Sequence, residues 1–385
     1  MEMDTLRRQL LHAYLDARKH KRNTVNQLEF ERDLESNLLS LAYDLHERRY
    51  ALRPSICFIH EKPVKREIVA AHFRDRVVHH LLYSWIYPLC DRSFIYDSYS
   101  CRVGKGTLFG IERAKKFIIA ESRDFTRECF VLRLDVTGFF MAIRRDILYR
   151  QVVELLRCHR WEGIPDRGLC IYLLKKFIFA NPLESAKYKS PPSAWDDLPR
   201  NKSLKYAAPD CGLPIGNLTS QLFGNVYMNP LDHFVKQNLK VRHYGRYVDD
   251  LLLVHHDKRF LLSAIERIRI FMKDRLFLTL NEKKTKLQSV EKGFDFLGAF
   301  ALPYRTYPGR RIVANFKECL RRSASFENGQ SRIVSYCGLL GHFDAFGMQR
   351  KLARTITPNH PNKHSYFLRK NRRIAPFTNC LQIHP

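Results

Sequence analysis

The stretch Tyr247-Val248-Asp249-Asp250 places two adjacent acids between two apolar segments. Residues 241–244 before it and residues 251–254 after it have the composition of short β-strands. Because side chains on a strand alternate between its two faces, adjacent acids converge on one cation only where the backbone turns sharply between them. The stretch therefore predicts a tight β-hairpin with a carboxylate pair at its tip, an arrangement typical of a metal site.

A further carboxylate is expected to complete this site, because Mg2+ is held by one or two carboxylates together with substrate phosphates. Asp135 is the candidate. It ends the β-like run 131–135 and is followed by the turn residues Thr137 and Gly138. An acid at the carboxyl end of a strand lies where ligands gather in α/β layers. Three carboxylates on neighbouring strands suit two-metal phosphoryl transfer.

Composition and charge favour a nucleic acid as the partner. The chain has 385 residues, 45% of them hydrophobic, so it can bury a large core divided among two or three subdomains. Its net charge of +27 is spread over every segment, which suits a polyanion. No uncharged stretch reaches the roughly 18 residues of a spanning helix, so no membrane association is predicted. The ten cysteines lack Cys-x-x-Cys spacing and indicate a reduced, cytoplasmic protein.

Hydrophobic periodicity predicts alternating helices and short strands. A long, proline-rich stretch interrupts them and is predicted to be a loop, and the tail is basic and helical. The predicted elements, in chain order, are two helices within 4–49, strands near 56–59 and 67–70, a helix over 75–82, helices over 145–157 and 169–179, the loop 181–210, a loop and helix over 216–234, a helix over 261–276 and the helical tail from 304.

The Tyr-x-Asp-Asp hairpin, together with the upstream pattern Asp135-x-x-x-Phe139-Phe140, resembles the palm domain of reverse transcriptases. This resemblance implies an α+β, right-hand polymerase fold with fingers, palm and a small helical thumb. It assigns residues 1–130 to N-terminal helices and fingers, residues 131–302 to the palm with the insertion loop 181–210, and residues 303–385 to a helical basic thumb and tail.

The activity that the resemblance implies is RNA-directed DNA polymerisation. Asp135, Asp249 and Asp250 would be the catalytic residues and the ligands of two Mg2+ ions, with Mn2+ as the alternative metal. Asp250 would be the less direct ligand, because the second acid of such pairs often contributes more to the field than to coordination. The implied substrates are an RNA template, a DNA or RNA primer and deoxynucleoside triphosphates (dNTPs).

The same resemblance suggests how the dNTP is bound. Phe140 would pack beneath the incoming sugar as a steric gate; Phe139 is the competing assignment, because the spacing does not decide which ring faces the pocket. Arg66 matches the fingers residue that grips the triphosphate, as a positive fork suits phosphate. Lys284, in the segment 278–285, would lie near the triphosphate and could protonate the leaving pyrophosphate.

Other basic and glycine-containing segments match nucleic-acid contacts of the family. Lys62 and Lys65 are secondary candidates beside Arg66. Arg102 and Lys105 belong to the segment 96–107, which resembles a template-strand contact, and Gly298 belongs to a segment that resembles the primer-grip hairpin. The alternative for each is an ordinary surface turn, a solvated lysine or an apolar hairpin.

The segment 212–221 lies where the family motif beneath the templating base is expected. Most retroviral and group II intron enzymes have Pro-Gln-Gly there, whereas this chain has Pro214-Ile215-Gly216. The phrase from Ile215 to Gln221 resembles the reverse transcriptases of diversity-generating retroelements. Ile215, Gly216 and Gln221 are accordingly assigned to dNTP binding. A branched apolar side chain cannot make the hydrogen bonds of an amide, so looser pair selection is expected.

This closer resemblance implies a bacterial or phage enzyme that copies a template-repeat RNA with errors opposite adenine. It also implies a small basic accessory protein oligomer as partner. The alternative within the class is a phage-defence or retron-type reverse transcriptase of ordinary fidelity. Outside the class, a catalytically silent RNA-binding module would bind RNA and incorporate nothing, and a nucleotide cyclase would not need the template-like segments.

Overall fold

The computed structural model describes residues 1–19, 23–61, 64–323 and 329–348 as a mixed α+β structure. The α-helices are α1 (Met3–Arg18), α2 (Val25–Arg32), α3 (Leu34–His46), α4 (Phe73–Ser93), α5 (Thr107–Ser122), α6 (Phe139–Ala142), α7 (Arg145–Cys158), α8 (Arg167–Phe179), α9 (Leu218–His233), α10 (Lys258–Phe271), α11 (Arg310–Ser323) and α12 (Gly329–Leu340). The strands are β1 (Ile56–His60), β2 (Arg66–Ala70), β3 (Phe130–Leu134), β4 (Lys187–Tyr188), β5 (His243–Tyr247), β6 (Asp250–His255), β7 (Lys286–Ser289), β8 (Phe294–Phe296), β9 (Ala299–Ala301) and β10 (Thr306–Pro308).

The chain forms two compact units. Among the described residues, one unit comprises 1–106 and 132–286, and the other comprises 107–131 and 287–348. The helices and strands confirm the predicted mixed α+β class. The division into fingers, palm and thumb stays a prediction. No helix among the described residues is long and apolar enough to cross a membrane.

The first unit is built around the predicted acidic hairpin. β5 pairs antiparallel with β6, and Tyr247 lies opposite Asp250 in the register. β3, the strand that leads to Asp135, is the neighbour of β6 on its other side. Residues 251–254 of β6 are all buried, as expected for a central strand whose two faces are covered. Asp135, which follows β3, lies close enough to Asp250, at the start of β6, for its charge to act on it.

Three segments differ from the sequence-based prediction. The N-terminal region contains three helices instead of two, because Asp33 leaves the helical conformation (φ −123°, ψ 47°) between α2 and α3. The stretch 181–210 is not a structureless loop, since β4 pairs in parallel with β1 and three short 3-10 turns follow. The tail predicted as helical from 304 begins with the strand β10 and continues with α11 and α12, and residues 349–385 lie outside the described residues.

Candidate active site

The acidic hairpin turns within two residues. Because Tyr247 pairs with Asp250, only Val248 and Asp249 form the loop. Val248 has φ +54°, a left-handed conformation that a β-branched residue adopts rarely and at a cost on the order of 1–3 kcal/mol. The carbonyl oxygen of Val248 accepts a hydrogen bond of 2.9 Å from Arg246 Nη1. The bend that the sequence requires between the acids is therefore present, and a buried arginine holds it.

The hairpin brings Asp249 and Asp250 to the end of β3, where Asp135 is buried with 6% exposure. Burial, followed by the negative charges of Asp250 and Asp135, raises the pKa of Asp249 to about 7. Burial and the charge of Asp135 also raise the pKa of Asp250. The three acids are thus close enough for each to oppose ionisation of its neighbours, and the structure groups them as the sequence predicted.

The donor chemistry of this cluster fits a hard divalent cation. All three residues offer carboxylate oxygens, which are the ligands that Mg2+ prefers. Among the described residues, neither Asp249 nor Asp250 has a cationic side chain within ion-pair distance. A cation bound between the acids would offset both the burial and the neighbouring charges that raise the pKa values of Asp249 and Asp250.

Asp135 is the acid of the three that forms an ion pair with another described residue. Its Oδ2 accepts a hydrogen bond of 2.7 Å from Lys284 Nζ, and its Oδ1 accepts one of 3.0 Å from Asn281 Nδ2. The backbone N–H of Asn281 also donates to the carbonyl of Asp135 at 2.8 Å. Although burial alone would lower it, the pKa of Lys284 is raised overall by its hydrogen bond to Asp135 and by the charges of the acids. Lys284 therefore stays an ammonium at the edge of the acidic cluster.

A buried polar network behind the hairpin was not predicted from the sequence. Arg246 is 0% exposed and forms a two-pronged ion pair with Asp232 of α9. Tyr244 donates to the same carboxylate at 2.7 Å, and Arg246 also donates to Asn225 Oδ1 at 3.2 Å. The available signal was Arg246 itself, directly before the hairpin loop, since a charge that becomes buried there must find a partner.

The candidate dNTP residues are distributed around this cluster. Arg66 is exposed at the start of β2, and its charge acts on Tyr247, the residue that precedes the hairpin loop. Phe139 is buried with 3% exposure, whereas Phe140 is half-buried. This difference agrees with Phe139 as a core residue and leaves Phe140 as the more accessible of the two rings. The role of Phe140 as a steric gate stays a prediction.

The segment that contains Ile215 lies beside β2. The carbonyl of Ile215 accepts a hydrogen bond of 2.8 Å from the Val69 N–H, and the Ile215 side chain is half-buried. Gly216 has φ +131°, and a Cβ there would lie 3.2 Å from the carbonyl oxygen of Val69. A glycine is thus required for the close approach of the two backbones. Gln221 is exposed in the first turn of α9, where its Oε1 accepts a hydrogen bond from Cys101.

The residues predicted to contact nucleic acid lie in different environments. Arg102 donates to Asp91 Oδ1 at 2.6 Å and to the carbonyls of Ile95 and Ser98, with 7% side-chain exposure. Its guanidinium therefore holds the segment 95–98 against α4, and its contact with a nucleic acid stays a prediction. Lys105 lies over the exposed ring of Tyr96 at 4.3 Å, and its contact with nucleic acid stays a prediction.

The remaining candidates are placed as follows. Lys65 lies 3.9 Å from the exposed Asp197. Lys62 lies outside the described residues. Gly298 belongs to the second unit, in the turn between β8 and β9, with φ +84°. Its carbonyl accepts a hydrogen bond of 2.7 Å from the Gly309 N–H, so the close backbone approach expected at Gly298 is present, and its primer-grip role stays a prediction.

Comparison with known proteins agrees with this site. A family model described as reverse transcriptase (RNA-dependent DNA polymerase) matches residues 61–300, which is more than half of the chain, and the chain belongs to this family. The matched segment contains the acidic hairpin, Asp135 and Lys284.

Among individual proteins, the chain is 23% identical to protein YkfC of Escherichia coli (strain K12) over 278 residues, 64% of this chain and 65% of YkfC. The chain thus spans just under two thirds of the length of the curated relative that it matches. Apo telomerase from Candida tropicalis, truncated from the C-terminal domain, aligns with a TM-score of 0.46 and 11% identity over 71% of this chain and 60% of that one. Candida albicans telomerase in complex with a fragment of telomeric RNA aligns with a TM-score of 0.45 and 13% identity over 85% and 60%.

Proposed function

We propose that this protein is an RNA-directed DNA polymerase that extends a primer with dNTPs on an RNA template. The observation that carries the proposal is the convergence of Asp135, Asp249 and Asp250 at the ends of neighbouring strands, within a chain of the reverse transcriptase family. The three acids would hold two Mg2+ ions, or Mn2+ ions, which when bound favour ionisation of the primer hydroxyl and neutralise the triphosphate.

The protein's own residues would supply position and charge. Arg66, exposed at the start of β2, would bind the phosphates of the incoming dNTP. Lys284 carries a proton at the edge of the acidic cluster and is positioned by its hydrogen bond to Asp135, so it would donate that proton to the leaving pyrophosphate. The half-buried ring of Phe140 would exclude the ribose 2′-hydroxyl and favour deoxynucleotides.

The direct test is Mg2+-dependent cDNA synthesis on a defined RNA template with an annealed primer. We expect incorporation that depends on the metal and on the template. RNA binding without incorporation would contradict the proposal and favour a binding module that kept the fold for assembly.

We further propose that copying is error-prone opposite adenine, as in diversity-generating retroelements, and that a small basic accessory protein takes part. Ile215 supports this proposal, because its side chain, which has no hydrogen-bonding groups, would lie beneath the nascent pair, and its backbone is hydrogen-bonded to Val69 of β2. Sequencing the cDNA with and without the accessory protein should show errors concentrated at template adenines. Uniform, accurate cDNA would favour the defence or retron alternative.

The variant Ile215→Gln tests the role of this side chain. The amide restores the hydrogen-bonding groups found in accurate relatives, so errors opposite adenine should fall, by roughly tenfold. Ile270→Gln makes the same chemical change at a position that is 57% exposed on α10, and it should leave the error spectrum unchanged.

A further inference from the structure

The insertion between α8 and α9 is attached to the strands that carry the candidate dNTP residues. β4 within the insertion pairs with Ile56 and Cys57 of β1. The backbone N–H of Lys189 donates to the carbonyl of Cys57 at 2.8 Å, and Ser190 Oγ accepts from the N–H of Ile59 at 3.0 Å. One end of the insertion is therefore an additional strand of the β1–β2 sheet.

The strongest attachment is a buried carboxylate. Glu67 of β2 is 3% exposed. Its Oε2 accepts hydrogen bonds of 2.7 Å from Trp195 Nε1 and 2.8 Å from Ser203 Oγ, and its Oε1 accepts one of 2.7 Å from the Leu204 N–H. All three donors belong to the insertion, and among the described residues Glu67 has no ion-pair partner. Since a buried charge is costly unless it is hydrogen-bonded, this carboxylate depends on the insertion for its stability.

The other end of the insertion contacts the segment that carries Phe140. Gly138, immediately before α6, has φ +57°, and a Cβ there would lie 2.7 Å from the carbonyl oxygen of Asn201. After the insertion, the N–H of Leu213 donates to the carbonyl of Phe140 at 2.9 Å. The backbone before Phe140, at Gly138, thus lies against the insertion, and the carbonyl of Phe140 is hydrogen-bonded to a residue just after the insertion.

An apolar cluster also joins the insertion to two of the candidate dNTP residues. Leu204 of the insertion is buried together with Cys57, Val69 and Met141. The half-buried side chains packed against this cluster include Phe140, Trp195 and Ile215. The two residues assigned to sugar and base-pair selection therefore share one packed cluster with the insertion.

We propose that the insertion is the back wall of the dNTP pocket and that it determines selectivity, with Glu67 and Trp195 as positioning residues. This inference rests on the proposed polymerase function. Neither residue needs to touch the dNTP. Glu67 holds Trp195 and Leu204 in place, and these in turn fix the positions of Phe140 and Ile215. Loosening the insertion should let the Phe140 ring move away from the sugar, so that ribonucleotides and mispaired dNTPs are accepted more readily.

The test compares Trp195→Phe and Glu67→Gln with the wild type. Trp195→Phe keeps an aromatic ring but removes the donor to Glu67. Glu67→Gln replaces one acceptor oxygen by an amide nitrogen, which cannot accept a hydrogen bond from the insertion donors that it faces. The control Glu184→Gln removes the same charge from an exposed position of the insertion. The measured quantities are kcat/KM for a matched dNTP, for the corresponding ribonucleotide and for a mispaired dNTP, together with Tm.

We expect the ratio of dNTP to ribonucleotide kcat/KM to fall roughly threefold to tenfold in both variants, with a smaller effect on kcat for the matched dNTP. Glu184→Gln should retain the wild-type ratio. A lower Tm with an unchanged ratio would show that the insertion only stabilises the fold, and would overturn the inference. If Glu67→Gln does not fold, Trp195→Phe decides the question. An inactive wild type would instead overturn the proposed polymerase function, and this inference with it.

Discussion

Arg246 and Asp232 form an ion pair that is wholly enclosed by the protein, with both side chains at 0% exposure. The Arg246 Nη2 and Nε atoms lie 2.7 and 2.8 Å from the two carboxylate oxygens of Asp232. The third nitrogen, Nη1, donates to the carbonyl of Val248 in the hairpin loop. The guanidinium of Arg246 thereby links Asp232 of α9 to the strained turn that contains Asp249. The pair stabilises the geometry of the acids without contacting them.

Asp232→Asn should be strongly destabilising. The substitution leaves the buried Arg246 charge without a counter-charge, and the free energy of unfolding should fall by about 3–5 kcal/mol. Denaturant unfolding followed by circular dichroism measures this change. Asp4→Asn removes an acid from the exposed Arg7–Asp4 pair, and it should change stability by no more than about 0.5 kcal/mol. Equal effects of the two substitutions would contradict a special role for the enclosed pair.

Asp249→Asn should abolish polymerisation without unfolding the chain. The amide keeps the shape of the side chain but cannot replace a carboxylate as a metal ligand. Because burial and the charges of Asp250 and Asp135 disfavour ionised Asp249, removing its charge should leave the free energy of unfolding in metal-free buffer unchanged or raised. Primer extension and thermal unfolding report the two effects. The control Asp274→Asn changes an exposed acid, and retained synthesis in Asp249→Asn would refute the assignment.

Lys284→Gln should slow nucleotide incorporation by about 10²-fold or more, the range expected for loss of a general acid. The neutral amide can still hydrogen-bond to Asp135 but has no proton to give to pyrophosphate. Single-turnover incorporation with saturating dNTP measures the chemical step. Lys283→Gln alters the exposed neighbouring lysine and should retain the wild-type rate. Equal rates for the two variants would remove Lys284 from the mechanism.

Gly245→Ala should destabilise the hairpin. Gly245 lies in β5 opposite Leu252, and a Cβ on it would lie 2.0 Å from the hydroxyl oxygen of the buried Tyr99. Overpacking of this kind costs about 1–3 kcal/mol. Gly338→Ala offers the opposite case, since a Cβ there meets nothing within 4 Å on α12, and it should gain about 0.5–1 kcal/mol. Thermal unfolding of the two variants should therefore show shifts of opposite sign.

His79 should make stability depend on pH. It is buried, stacks on Phe177 at 3.8 Å and shares a hydrogen bond of 2.8 Å with Thr219. Burial, with smaller effects of His80 and Arg76, lowers its pKa to about 3, whereas the unfolded chain binds the proton near pH 6.5. Its contribution is thus fully present above pH 6.5 and is lost as the pH falls toward 3.

At pH 4.5 this loss amounts to about 2–3 kcal/mol relative to pH 7. His79→Gln removes the titrating group, so its free energy of unfolding should decline less steeply between pH 6.5 and 4.5, even though its stability at pH 7 is lower. Denaturant unfolding across this range measures both curves. Parallel curves would contradict the assignment of the pH dependence to His79.

The sequence by itself determined the acidic hairpin and the strand that ends at Asp135. These features depend on neighbours in the chain, namely the two-residue period of strands and a turn of two residues, so the local pattern was sufficient. The same local reasoning placed the helix α7 almost to the residue. It failed at Asp33, where a single residue leaves the helical conformation within an otherwise continuous apolar pattern.

Only the tertiary structure decided which residues support the acids and which residues attach the insertion. Asn281 meets Asp135 across 146 positions, and Trp195 meets Glu67 across 128. The choice between Phe139 and Phe140 as the core ring likewise depended on packing. Local periodicity contains no information about such pairs, because they form when distant segments pack and buried polar groups must find partners. The sequence thus identified the acids that would carry the chemistry, and the fold determined what holds them in place.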